Sequence, residues 1–201
     1  MPARGDHEAR RRDVSEAVWR VLAARGFDGL TLRAVAAEMG ASTGLLTHYF
    51  PNKKALIVHA LDIAEERTRA VDPESAPEPG LPALRAALLH VLPATPESVV
   101  LNRVWVSSWD ASLGDPELSA RQTARYANWR SRLRPHVDEA IARGELPAGD
   151  ADGTVATAAA FTHGLVVQAL FDPDLFPPDR LAALLDAFLA SLAAPRPEQA
   201  T

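Results

Sequence analysis

Two short helical patterns, one over Leu32 to Met39 and one starting at Thr43, stand almost end to end, with only about Gly40 and Ala41 between them. So short a gap forces the second helix to turn sharply against the first. Thr31 can cap the earlier helix, whose apolar positions are Leu32, Val35, Ala36 and Met39, and Ser42 can cap the later one, with Leu45, Leu46 and Tyr49 facing inward. Gly40 permits a left-handed backbone at the turn, and the small Ala36 lets the helices approach. Pro51 ends the second helix, since a proline inside would remove a backbone donor and clash with the preceding turn. Val35, Met39, Ala41, Leu46 and Tyr49 fill the small core of the pair, which leaves Thr43, Gly44, Thr47 and His48 pointing outward. These are short or polar groups of the kind that reach base edges in a major groove.

Helical spacing continues along nearly the whole chain and no segment sustains strand alternation, so the expected class is all-α, with about nine helices. A first helix over about Glu8 to Arg25 places Val14, Ala17, Val18, Val21 and Leu22 on one face before Gly26 stops it. A fourth, Asn52 to about Val71, does the same with Leu56, Ile57, Ala60, Leu61 and Ala64. The stretch Asp72 to Gly80, with three prolines, reads as a loop. Further helices are expected at about 81–92, 96–113, 116–143, 150–171 and 178–193, the third of these kinked or split at Pro135, with a frayed tail after Pro195. This divides the chain into a three-helix head, residues 1–54, a larger helical body, 55–195, and a tail, 196–201.

Charge follows the same division. Residues 1–54 hold nine Lys plus Arg against six Asp plus Glu, while the whole chain carries a net −5, so a basic head sits on an acidic body. That suits contact with a polyanion through one end. A run such as Arg10, Arg11 and Arg12 suits backbone contact or plain solvation. The absence of cysteine removes a disulfide framework, a thiolate nucleophile and a cysteine zinc site. Six histidines at 7, 48, 59, 90, 136 and 163 have no metal-like spacing, and no G-x-S-x-G, phosphate-binding loop or H-E-x-x-H is present. No metal, no cofactor and no enzymatic activity is expected. Met1 to Asp13 lacks the apolar core of a signal peptide, so a cytoplasmic location is expected. Thr154 to Phe171 carries no charged residue, but His163, Gln168 and three threonines make it a helix buried between protein surfaces and not a membrane span.

Four features in register between Gly29 and Leu56 resemble the DNA-binding segment of the tetracycline-repressor family: Thr-x-Arg at Thr31 and Arg33, the turn at Gly40, the Tyr49-Phe50 close, and Asn52-Lys53 opening the next helix. The resemblance implies that Arg33, Thr43, Gly44, Thr47 and His48 face bases or the groove, that Thr31, Tyr49 and Lys53 hold phosphates, and that Ser42 belongs to the same surface. It further implies that the body binds a small molecule and pairs with its copy through the last two helices, 150–171 and 178–193. The stretch from Val104 to Leu133 resembles more weakly the subgroup containing choline-responsive repressors of betaine synthesis.

Within the body, Trp105 and Trp109 share a helix face at i, i+4, and Tyr126 and Trp129 at i, i+3. Such aromatics equally suit a core or a cavity for a flat or cationic ligand. Asn102, Gln122, His163 and Gln168 are the polar candidates for ligand contact, because an apolar face would not hold them unpaired. The expected function is a ligand-responsive regulator, by family default a repressor, that binds a palindromic double-stranded operator as a homodimer, with the fourth helix joining reader to sensor. The alternative is a helical protein-interaction adaptor that keeps the motif without DNA binding.

Overall fold

The computed structural model describes residues 4–69 and 77–193. Most of the expected 72–80 loop, the 196–201 tail and the side chain of Arg11 lie outside the described residues. The described residues form ten helices and no strand: α1 (Arg4–Arg25), α2 (Leu32–Glu38), α3 (Thr43–Tyr49), α4 (Lys53–Arg69), α5 (Leu81–Leu89), α6 (Pro96–Ser107), α7 (Trp109–Gly114), α8 (Pro116–Ala142), α9 (Ala151–Phe171) and α10 (Pro178–Leu192).

The expected single helix over 96–113 is two, α6 and α7. Ser107 Oγ donates to the Arg103 carbonyl, and Ser108 Oγ donates to the Trp105 carbonyl at 2.6 Å. Adjacent serines bonding back to the previous turn compete with the helical ladder, and the helix breaks there. α5 ends at Leu89, earlier than the spacing suggests; beyond it Val91 and Leu92 donate to the Leu88 and Leu89 carbonyls in tighter i→i−3 turns that run up to Pro93. Pro135 does not split the long helix: α8 continues through it over 27 residues. Leu133 and Val137, both buried, anchor it on either side of the missing donor.

The chain divides into two compact units. The first gathers residues 1–71 with 103–118, so α4 belongs wholly to it, together with the end of α6, all of α7 and the start of α8. Its core is Val18 and Leu22 of α1, Leu30, Val35 of α2, Leu46 of α3, and Leu56 and Ala60 of α4, none more than 2% exposed. Burying each of the large side chains contributes about 1.5–3 kcal/mol. Phe50, just after α3, is buried as well; its position beside Pro51 hid it from a purely helical count. The second unit gathers residues 72–102 with 119–201. Leu84 and Leu88 of α5, Leu133 and Val137 of α8, Val155, Ala158 and Val166 of α9, and Leu181 and Leu185 of α10 form its core.

Candidate nucleic-acid interface and effector site

α2 ends as a Schellman motif. Gly40, at φ +61°, donates its N–H to the Ala37 carbonyl at 3.2 Å, and Ala41 donates to the Ala36 carbonyl at 2.9 Å. The turn therefore needs a residue free to adopt positive φ, and Gly40 supplies it. Both helices that it joins are capped by hydroxyls: Thr31 Oγ1 accepts from the Ala34 N–H at 3.1 Å, and Ser42 Oγ accepts from the Leu45 N–H at 3.3 Å. After Pro51, Asn52 Oδ1 accepts from the Ala55 N–H at 2.8 Å and opens α4.

Leu46 alone of α3 is fully buried, so α3 stands on one apolar anchor and presents the rest outward. Thr31, Arg33, Ser42, Thr43, Gly44, Thr47 and His48 are all exposed, Tyr49 is half-buried, and Lys53 is exposed in the first turn of α4. The side chains expected to read DNA are thus open to solvent, except for the half-buried Tyr49. Thr47 Oγ1 donates to the Gly44 carbonyl at 2.9 Å, which leaves its oxygen as an acceptor. The His48 ring meets Tyr49 edge-on at 5.8 Å. An open cavity of about 330 Å³ lies beneath them, lined by Val14, His48, Tyr49, Phe50 and His59, with Ser15 Oγ and His59 Nε2 3.0 Å apart. Arg10 and Arg12 are exposed on α1.

Adjacent lysines differ. Lys54 Nζ lies 2.9 Å from Asp115 and 2.7 Å from Glu117, and these hydrogen bonds raise its pKa and hold the Asp115 carboxyl below the usual range. Near the other end of α4, Trp105 Nε1 donates to Thr68 Oγ1 at 3.2 Å. Residues 103–118 therefore hold α4 near both ends. Neither partner of Lys54 could be found from the sequence, since both lie some sixty residues away.

In the second unit, Asn102 is buried and donates both amide hydrogens to backbone, to Val91 and Ser98 carbonyls at 2.9 Å each. That geometry pins the turn after α5. Tyr126 and Trp129 of α8 converge on His163 of α9, with ring centroids 5.2 and 4.7 Å away. Burial, then the charge of Arg125, lowers the His163 pKa to about 4, so its imidazole is neutral at physiological pH. Gln122 Nε2 is buried without a hydrogen-bond partner among the described residues. Of the four expected aromatics, Tyr126 and Trp129 are brought together here, while Trp105 and Trp109 belong to the first unit. Arg125, which sequence reasoning passed over, carries its guanidinium carbon 5.5 Å from the Tyr126 ring centre.

α9 is long and apolar enough to cross a membrane by length and composition, and it packs instead against α5 and α10, with Phe161 stacked on Phe188 at 4.2 Å. Its other face is open: Ala160, Gly164, Gln168 and Phe171 are exposed, Phe171 to 81%. Ala183, Ala187 and Ala190 form a similar exposed stripe on α10. Among the described residues, no group of three or more His, Asp or Glu is placed to hold a metal ion.

Residues 15–60 match the model of the tetR family of bacterial regulatory proteins, and residues 81–194 match that of the BetI-type transcriptional repressor C-terminal region. The regulator BetI of Paraburkholderia phymatum is 31% identical over 96% of this chain and 100% of its own. The regulator PksA of Bacillus subtilis is 27% identical over 96% of this chain and 94% of its own. Among solved structures, a transcriptional regulator from Saccharomonospora viridis in complex with choline superposes with a TM-score of 0.80, at 22% identity, covering 94% of this chain and all of that one.

Proposed function

Because the chain belongs to the tetR family of bacterial regulatory proteins and is a transcriptional regulator with a BetI-type C-terminal region, we propose that it is a cytoplasmic repressor that binds a palindromic operator as a homodimer and is released by a small-molecule effector. The observation that carries the reading is the capped α2–α3 pair, anchored through Leu46 and exposing only short or polar side chains. Arg33, Thr43, Gly44, Thr47 and His48 enter the major groove, while Thr31, Tyr49 and Lys53, beside the capping Ser42, take phosphates. No step of this activity asks for catalysis.

Exposed Ala160, Gly164, Gln168 and Phe171 on α9, with the alanine stripe of α10, support pairing of these helices with their copies, since small side chains let helices approach closely. Two recognition helices must then match successive major grooves about 34 Å apart. Effector binding in the body favours a dimer in which that spacing is lost. α4 transmits the change: residues 103–118 hold it near both ends, and α6 and α8 continue from that segment into the second unit.

The test is retention of duplexes from the protein's own genome at two salt concentrations, beside Tyr49→Ala and Lys53→Ala. A palindromic site should be retained, more weakly at higher salt and in both variants, because each phosphate contact releases counterions. If no duplex is held above a random-sequence control even at low salt, the reading fails.

A further inference from the structure

Leu46 is the one fully buried side chain of α3, and a helix of only seven residues takes its stability from such tertiary anchors. Held at a single point, it could still swing about that point. A second anchor lies just past its end. Phe50 is buried, donates its N–H to the Leu46 carbonyl at 2.8 Å, and sets its ring 5.2 Å from that of His59, tilted by 43°. His59 in turn brings its Nε2 to 3.0 Å from Ser15 Oγ. One half-buried imidazole on α4 therefore reaches both α1 and the residue that closes α3.

The residue type fits that double task. His59 stands in an otherwise apolar run, Leu56, Ile57, Val58, Ala60 and Leu61. Packing on Phe50 asks only for a ring; the hydrogen bond to the Ser15 hydroxyl asks for a ring with a polar nitrogen at its edge. Behind the last side chains of α3 the packing is open. His48 and Tyr49 are backed by the cavity of about 330 Å³ that they line with Val14, Phe50 and His59, and not by close-packed core. Where these two side chains point therefore depends on the backbone at Phe50, and so on what grips the Phe50 ring. Contact residues must be held to about half an ångström by the groups that support them.

Resting on the DNA-reading role proposed above, we infer that His59 is a positioning residue of the reader. Bonded to Ser15 and packed on Phe50, it fixes the end of α3 and hence the aim of His48 and Tyr49, acting through Phe50 and not by contact with DNA.

The test uses the full-length protein and the palindromic duplex that it retains. Affinity is measured at a temperature where circular dichroism shows each variant folded, beside amide hydrogen exchange over residues 43–50. His59→Ala should weaken duplex binding about tenfold, since it removes a ring contact and a hydrogen bond, and should speed exchange at the end of α3. His59→Phe, which keeps the ring, and Ser15→Ala should each lose part of that affinity, and the two together less than the sum of their separate losses. If His59→Ala does not fold, these two variants carry the same test. In a Tyr49→Ala background the cost of His59→Ala should shrink to about two- to threefold, a coupling that a general loss of stability does not produce. Unchanged affinity in a folded His59→Ala, or a loss undiminished in the Tyr49→Ala background, overturns the inference and leaves the regulator reading standing. A natural protein that holds no duplex sinks the regulator reading, and exchange over residues 43–50 then decides by itself whether His59 fixes the end of α3.

Discussion

Between Thr31 and Lys53 each proposed DNA contact is delivered by local structure: two hydroxyl caps, one glycine turn, one proline stop and a single apolar anchor at Leu46. The cluster around His163 is assembled differently, by the meeting of α8 and α9, and it holds a buried amide donor with no partner among the described residues. A reader must present fixed donors to a ligand that is the same shape everywhere, and short-range signals suffice to fix them. A sensor must be shaped to one small molecule, and its groups are chosen by what faces them, which the sequence around each residue does not state.

The strongest way to break this contrast is to remove the anchor. Leu46 is fully buried, so Leu46→Ala should cost about 2–5 kcal/mol through lost burial and the cavity left behind. Duplex retention should disappear, while the second unit stays folded. Urea unfolding followed by helix content, beside duplex retention, separates the two. If both responses vanish together, reader and sensor unfold as one cooperative body and the contrast is only one of sequence.

The second prediction moves to the sensor. His163 has its pKa lowered from 6.5 to about 4, so the unfolded chain takes up this proton at higher pH than the folded one. The stability that it contributes is present above about pH 6.5 and lost as the pH falls toward 4, amounting to about 2 kcal/mol by pH 5. The melting temperature should fall over that window in the natural protein and less in His163→Gln. Asp115 and Asp186 do not blur the result: Lys54 and Arg85 hold their pKa values below the ordinary 3.8, so their contribution is lost only at still lower pH. An identical pH profile in His163→Gln would mean that this ring is not neutralised by burial.

A smaller effect, about 1 kcal/mol, attaches to each cap. Thr31→Ala and Ser42→Ala should lose that much in the reader, and Asp150→Ala as much in the sensor, where Asp150 Oδ1 accepts from the Gly153 N–H at 2.9 Å. Equal losses of stability with unequal losses of duplex affinity would sharpen the contrast, since only the first two caps order the α2–α3 pair.

The same asymmetry decides what the sequence could reveal. The all-α class, the α2–α3 turn and both of its caps were legible because hydrophobic period, hydroxyl and glycine are local signals with local consequences. The break at Ser108 was not, since it depends on two serines choosing the preceding carbonyls over solvent. Pro135 does not split α8, which has buried neighbours on either side of it. The polar residues of the body differ: Asn102 is spent on two carbonyls, Gln168 is exposed on α9, and Gln122 has a buried donor with no partner among the described residues. Only partners distant in sequence tell them apart.

Lys53 and Lys54 carry the smallest and most discriminating prediction. They are chemically identical neighbours, and any argument from composition gives them the same phosphate-binding role. The structure separates them: Lys53 is exposed in the first turn of α4, while Lys54 is held by Asp115 and Glu117. A lysine already neutralised by two carboxylates releases no counterion when DNA arrives, whereas each phosphate-bound lysine adds about 0.9 to the slope of log affinity against log salt. Lys53→Ala should therefore flatten that slope by about one contact, and Lys54→Ala should leave it unchanged. Because the Lys54 pair is exposed to solvent, its loss should also leave the melting temperature unmoved within error. What Lys54→Ala should change is the grip of residues 103–118 on α4, read as faster amide hydrogen exchange in the first turns of α4. Equal slopes in the two variants would place Lys54 on the phosphate backbone and free α4 from that tether.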